Sequence, residues 1–137
     1  MDFSLQTAKN FFTKSQQRVF KPKSFQEKHS FEKRASESAK IMEKYPDRIP
    51  VICQKIHTAN DIPDIDRMKY LVPNDLSMGQ FLYIIRKRIK REQEKAIYMF
   101  INDKIAAGSQ IMMDIYENNK DKDGFLYVYY TGESTFG

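Results

Sequence analysis

Residues 67–89 read Arg67-Met-Lys-Tyr-Leu-Val-Pro-Asn-Asp-Leu-Ser-Met-Gly-Gln-Phe-Leu-Tyr-Ile-Ile-Arg-Lys-Arg-Ile89, and two periodicities meet inside the stretch. Up to Pro73 the run is short, aromatic and β-branched, the composition of a strand. Ser77 then stands three residues before Gln80, the spacing of a capping box. Beyond it Phe81, Ile84, Ile85 and Ile89 recur at helical spacing, while Arg86, Lys87, Lys90 and Arg91 face away. A strand followed at once by an amphipathic helix is the first structural expectation.

Upstream, Arg48-Ile-Pro-Val-Ile-Cys-Gln-Lys-Ile56 is a second strand, and the polar region from Thr58 to Asp66, with Pro63 inside it, turns the chain so that the two strands pair. A helical stretch from Ser30 to Tyr45 precedes them, with Ala35, Ala39 and Met42 marking a stripe and Pro46 stopping it. Downstream, Ala96 to Ile101 is continuously apolar, the mark of a buried strand, and Asn102-Asp103 ends it. Ser109 is placed to cap a shorter helix carrying Ile111, Met112, Ile115 and Tyr116. Asn118 to Gly124 reads as a polar turn, and Phe125-Leu-Tyr-Val-Tyr-Tyr-Thr131 as the last strand. Strand, strand, helix, strand, helix, strand predicts an α+β roll of the ubiquitin-like β-grasp type, with about four strands. Residues 1–30 form an N-terminal extension, 31–131 the domain with a helical part at 31–46, and 132–137 a C-terminal tail.

Composition narrows the chemistry. A chain of 137 residues, 41% of them hydrophobic, holds one domain with a core of its own. Cys53 is the only cysteine, which excludes an internal disulfide and, with only His29 and His57 beside it, a Cys/His zinc cluster. Mid-strand among Ile and Val, Cys53 reads as a small core residue, and both histidines as solvated side chains away from any nucleophile motif. The five glycines are scattered, so no phosphate loop exists, and Asp121-Lys-Asp-Gly124 lacks the closing Glu of a calcium loop. The apolar runs are far shorter than the roughly 20 residues of a membrane span, and Lys9 and Lys14 interrupt any signal-like stretch. The expectation is a soluble intracellular domain without catalytic residues, metal or cofactor.

The net charge of +5 lies in residues 1–34, where eight basic side chains face three acidic ones; the remaining residues balance. That excess suits an anionic partner or a solvated basic tail. Within the extension Leu5, Ala8, Phe11, Phe12 and Val19 share a helical face, with Lys9, Lys14 and Arg18 elsewhere. Such a segment can lie in a membrane interface, or take structure only in context. At the other end, Gly132-Glu-Ser-Thr-Phe-Gly137 is a polar tail whose last residue has no Cβ to clash with a narrow channel.

Phe31-Glu-Lys-Arg34, Arg48 to Cys53, Asp61-Ile-Pro-Asp-Ile-Asp66, Lys69 to Pro73, Gly79-Gln-Phe81, Ile85 to Ile89, Glu94-Lys-Ala-Ile97, Lys120 to Tyr127 and Gly132 to Gly137 together resemble the autophagy ubiquitin-like modifiers of the GABARAP and light chain 3 group. The resemblance covers residues 31–137. It implies activation of the Gly137 carboxylate by a ubiquitin-activating-type enzyme, transfer through a conjugating-type enzyme, and an amide with phosphatidylethanolamine, the covalent lipid being the only cofactor expected. A cysteine protease would expose the glycine and later remove the lipid. The protein would thus move from the cytoplasm to autophagosome membranes through a lipid anchor. It further implies that the strand at Lys69–Pro73 is a sheet edge accepting the aromatic-x-x-aliphatic motifs of cargo receptors and adaptors. An aromatic pocket would use Glu37, Ile41, Pro50, Ile52, Lys69, Leu71 and Phe125. An aliphatic pocket would use Tyr70, Val72, Pro73, Leu76, Phe81 and Ile84, and Arg48, Lys69 and Arg88 would attract acidic flanks. Leu71→Ala, or a charge at Ile52, should then impair docking without unfolding. Ile97-Tyr-Met-Phe100 resembles a strand that binds helical partners in some relatives. The sequence departs from the group in its long stretch before Phe31, an extra residue near His57 to Asn60, and Lys90 to Gln93 and Ala106-Ala107, which stand where Pro is frequent.

The competing reading is a nucleic-acid-binding or cytoskeleton-binding protein acting through residues 1–34. It predicts salt-sensitive binding lost with residues 1–30, and assigns Gly137 no role. Under the modifier reading nucleic acid is not a partner.

Overall fold

In the computed structural model, residues 23–132 are described. The capping box closes as expected: Ser77 Oγ accepts from the Gln80 amide at 3.1 Å, and Gln80 Oε1 from the Ser77 amide at 2.9 Å. The helix that follows, α3 (Met78–Arg88), ends in three basic residues that complement its negative pole. Met78, Phe81, Ile85 and, one residue past the end, Ile89 are buried. Ile84 is not. At 3.6 residues per turn it stands roughly 100° from the middle of that stripe, and it is 42% exposed.

In chain order the elements are α1 (Phe25–Lys28), α2 (Phe31–Lys44), β1 (Arg48–Lys55), β2 (Lys69–Pro73), α3, β3 (Tyr98–Ile101), β4 (Lys104–Ile105), α4 (Met112–Asn119) and β5 (Leu126–Thr131). One sheet takes the order β2-β1-β5-β3-β4. β1 runs antiparallel to β2 and parallel to β5; β3 runs antiparallel to β5 and β4. The sheet therefore has five strands among the described residues, not four. The fifth, β4, is two residues long and carries no periodicity of its own. It exists because Asn102 and Asp103 both adopt positive φ (51° and 66°), the conformation of a tight hairpin turn.

β1 is apolar almost throughout because both its faces are covered. Ile49, Val51 and Cys53 face α3 and α4, joined by Leu126, Val128 and Tyr130 of β5. The alternate residue Ile52 faces α1 and α2 with Phe125, Tyr127 and, half-buried, Tyr129. Cys53 is fully buried, as expected of a core residue, and burial pushes its thiol well above the usual range.

Three local expectations change. Ser109 does not cap α4: its N-cap is Ile111, which makes no side-chain cap. Instead Leu76 O and Asn74 O accept from the Met112 and Met113 amides at 2.8 and 3.1 Å, so tertiary carbonyls satisfy the first-turn donors. In α2 the inward face is Ser38, with Ile41 and Met42 half-buried, while Ala39 is exposed. Ser38 Oγ donates to Asp123 O, and Arg34 Nη1 pairs with the buried Asp123 carboxylate at 2.6 Å. Arg34 is thus a bolt between helix and turn rather than a solvated charge.

The third change concerns the N-terminal boundary. Ser24 and Glu27 form a capping box, and Phe25 is buried against Phe125 in an edge-to-face contact at 5.3 Å. The Phe25 amide donates to Gln54 Oε1 at 2.8 Å. Packed structure begins before residue 31. His29 is also half-buried, its ring 4.8 Å from that of Phe25, rather than solvated. The amphipathic stretch expected between Leu5 and Val19 lies outside the described residues.

Candidate docking edge and conjugation tail

Among the described residues, β2 has β1 on one side and no strand on the other. In an antiparallel pair, residues alternate between those that exchange hydrogen bonds with the neighbour and those whose backbone groups point away. The Cys53 amide bonds Met68 O at 2.8 Å, and the register pairs Val51 with Tyr70 and Ile49 with Val72. Lys69 and Leu71 therefore alternate out, directing their N–H and C=O groups to the open edge. Pro50, opposite Leu71, removes no ladder bond from this pair. Arg48 Nη1 donates to the outward Leu71 carbonyl at 3.2 Å and covers an acceptor that a docked strand would otherwise use.

The two sides of β2 differ. Towards α2, Glu37, Ile41, Lys69 and Leu71 line a cleft of about 510 Å³, together with Arg67 and Tyr70. The Lys69 ammonium pairs with the Glu37 carboxylate across it. Ile52 and Phe125 are wholly inaccessible, and Pro50 is buried. Four of the expected aromatic-pocket residues thus line the cleft, while the other three, Pro50, Ile52 and Phe125, are buried and do not. A charge at Ile52 would be buried and would unfold the domain, contrary to the expectation of a clean docking defect. Towards α3, Tyr70 meets Phe81 edge-to-face at 5.8 Å. Val72 and Phe81 are core, whereas Tyr70, Pro73 and Leu76 are half-buried and Ile84 is exposed. Burial pushes the Tyr70 hydroxyl up to about 12.

Of the expected contacts for acidic flanks, Arg88 is already engaged: Nε and Nη2 hold both oxygens of Asp66, at 2.8 and 3.3 Å. This fork keeps the Asp66 carboxyl below its usual range. Arg67, at the cleft mouth, went unnoticed in the sequence, although its position two residues before Lys69 in an alternating strand signals it.

Gly137 lies outside the described residues, but the root of its tail does not. At Gly132 a Cβ would stand 2.4 Å from Asp61 Oδ2 and 2.8 Å from Arg91 Nη2. Arg91 in turn donates to Asp61 O and Ala96 O, each at 3.2 Å. The chain leaves β5 through a clasp that only glycine passes without displacing a side chain. Among the described residues no cluster of His, Cys, Asp or Glu could hold a metal ion, and no helix is long and apolar enough to cross a membrane.

A five-stranded sheet in this order, with α3 and α4 on one face and β5 between β1 and β3, defines the class of ubiquitin-like folds. Residues 33–137 match the family model described as "Autophagy protein Atg8 ubiquitin like". The chain is 58% identical over 113 residues to Autophagy-related protein 8 of Mycosarcoma maydis, covering 82% of this chain and 95% of that protein. It is 56% identical over 114 residues to Autophagy-related protein 8d of Arabidopsis thaliana, covering 83% and 94%. The crystal structure of Trypanosoma brucei ATG8 superimposes with a TM-score of 0.78 at 47% identity, covering 85% of this chain and all of that one. The chain belongs to the Atg8 family of autophagy ubiquitin-like proteins.

Proposed function

We propose that this Atg8-family protein is conjugated through the Gly137 carboxylate to the amine of phosphatidylethanolamine, and that its β2 edge docks receptors carrying aromatic-x-x-aliphatic motifs. The reading that it is itself modified, and catalyses nothing, belongs to the same proposal. The observation that carries the docking half is the outward backbone of Lys69 and Leu71 beside two apolar surfaces of different shape. An extended peptide added there gains main-chain hydrogen bonds, and side chains on its alternate faces reach the α2 and α3 sides. Entry of an aromatic side chain requires the Lys69–Glu37 pair to part and the buried Ile52 and Phe125 to become accessible. An acidic residue in the peptide would compensate Lys69.

The conjugation half is supported by the family match running through Gly137, and by the Gly132 clasp, which sets where the tail departs. Two acyl chains anchor a protein to a bilayer where one holds only marginally, at ~0.8 kcal/mol per buried CH₂. Activating-type and conjugating-type enzymes, and a cysteine protease, are the partners this chemistry needs, with the cytoplasm and the autophagosome membrane as its two locations. Gly137→Ala should abolish the lipid adduct, read by mass spectrometry of the C-terminal peptide, and leave peptide affinity unchanged. An adduct recovered from that variant would refute conjugation at Gly137. Nucleic-acid or cytoskeletal binding through residues 1–34 remains the alternative, and it requires binding that disappears with added salt.

A further inference from the structure

A groove of about 1140 Å³ lies on the α1 side of the sheet, away from β2's open edge. Tyr127, Tyr129, Phe100 and Gln54 make its floor, and α1 and the turn after α4 border it. The side chain of Gln54 is more than nine-tenths buried. Its Oε1 accepts from the Phe25 amide, but among the described residues its Nε2 has no hydrogen-bond partner. A buried amide donor left unpaired costs about 1–3 kcal/mol, so the site calls for an acceptor such as a main-chain carbonyl.

We propose that residues 1–22 of this same chain occupy the groove, as an intramolecular ligand that covers the sheet face. Three observations select this occupant. Lys23, the first described residue, is itself on the groove wall, so the preceding chain starts there. Twenty-two residues reach roughly 33 Å as a helix or about 70 Å extended, ample for a domain whose radius of gyration is ~13 Å. The chemistry also matches. Phe3, Leu5, Phe11, Phe12, Val19 and Phe20 supply apolar groups for the aromatic floor. Lys9, Lys14, Arg18 and Lys21, against Asp2 alone, suit the carboxylates of Asp103 and Asp121 on the groove wall, beside Lys120; the Asp64 and Asp66 carboxylates there are already held by Lys55 and Arg88. A tether this short holds the segment at millimolar effective concentration. Any partner approaching Phe100 in trans would first have to displace it.

The test uses the full chain. Cys53 is buried with its thiol pushed up, so a nitroxide placed on Asn10→Cys labels that position alone. The amide signals of Gln54, Phe100, Tyr127 and Tyr129 should be lost while those of Tyr83 and Lys87, on α3, persist. Tyr129→Lys, which sets a cation on the floor against the basic segment, should restore them. Loss of signal around Leu71 instead, or loss nowhere, overturns the proposal. Loss at Gln54 only when labelled and unlabelled molecules are mixed assigns the groove to a second copy and overturns it equally. None of these outcomes depends on Gly137 being conjugated.

Discussion

β2 has two flanks built on opposite physical terms. Towards α2 its cleft is closed by a surface ion pair between Lys69 and Glu37, whereas towards α3 the edge-to-face contact of Tyr70 and Phe81 is continuous with the main core. An exposed pair can part at little cost; a buried aromatic contact cannot. On the proposed docking reading, the α2 flank is where binding would change the protein, and the α3 flank would meet a peptide without rearranging. Residues of similar apparent role on the two sides should respond differently to mutation.

The largest expected effect breaks the α3 flank. Phe81→Ala should lower stability by about 3–5 kcal/mol, read from the denaturant midpoint. A loss below ~1 kcal/mol would show that Phe81 lines a pocket rather than packs the core. Next, Leu71→Ala on the half-buried edge should cost only about 1 kcal/mol of stability yet weaken a motif peptide roughly tenfold by calorimetry. Equal losses in both measurements would erase the distinction between the flanks. Glu37→Gln frees Lys69 and should change stability by less than ~1 kcal/mol. It should tighten an acidic-flanked peptide by up to about fivefold, and unchanged affinity would mean that the ion pair does not gate the cleft.

The smallest effect is one of pH. Burial, helped by Lys33, Lys69, Lys28 and Arg34, holds the His29 imidazole below its ordinary 6.5. The folded state then refuses a proton that the unfolded chain accepts. Stability is complete above pH 6.5 and declines as the pH falls below it towards the lower folded value. Because the His29 ring packs tilted against Phe25, the amides of α1 should lose exchange protection first on acidification. Protection indifferent to pH between 7 and 5 would detach His29 from α1 docking.

Much of this architecture is legible without coordinates, and the exceptions share a cause. Residues 48–55, 69–73 and 126–131 announce strands by composition, and Ser77 with Gln80 announces α3, because those signals are local. α1 carried the same signal, Ser24 with Glu27, but four helical residues are too few for a periodicity, and Phe25 alone records that it packs. The edge position of Lys69 and Leu71 was readable through resemblance. Which of Ile52, Phe125 and Phe81 line a pocket was not, since an apolar residue looks the same in a strand whether its far side meets solvent or a helix.

By itself the sequence determined most of the secondary structure and the roll, since capping and alternation act between near neighbours, and its motifs carried the family resemblance. Tertiary structure alone decided that Arg34 bolts to Asp123, that Gly132 threads between Asp61 and Arg91, and that Lys69 meets Glu37 across the cleft. Each joins side chains distant along the chain. Their encounter depends on how the layers pack, which neither residue encodes alone.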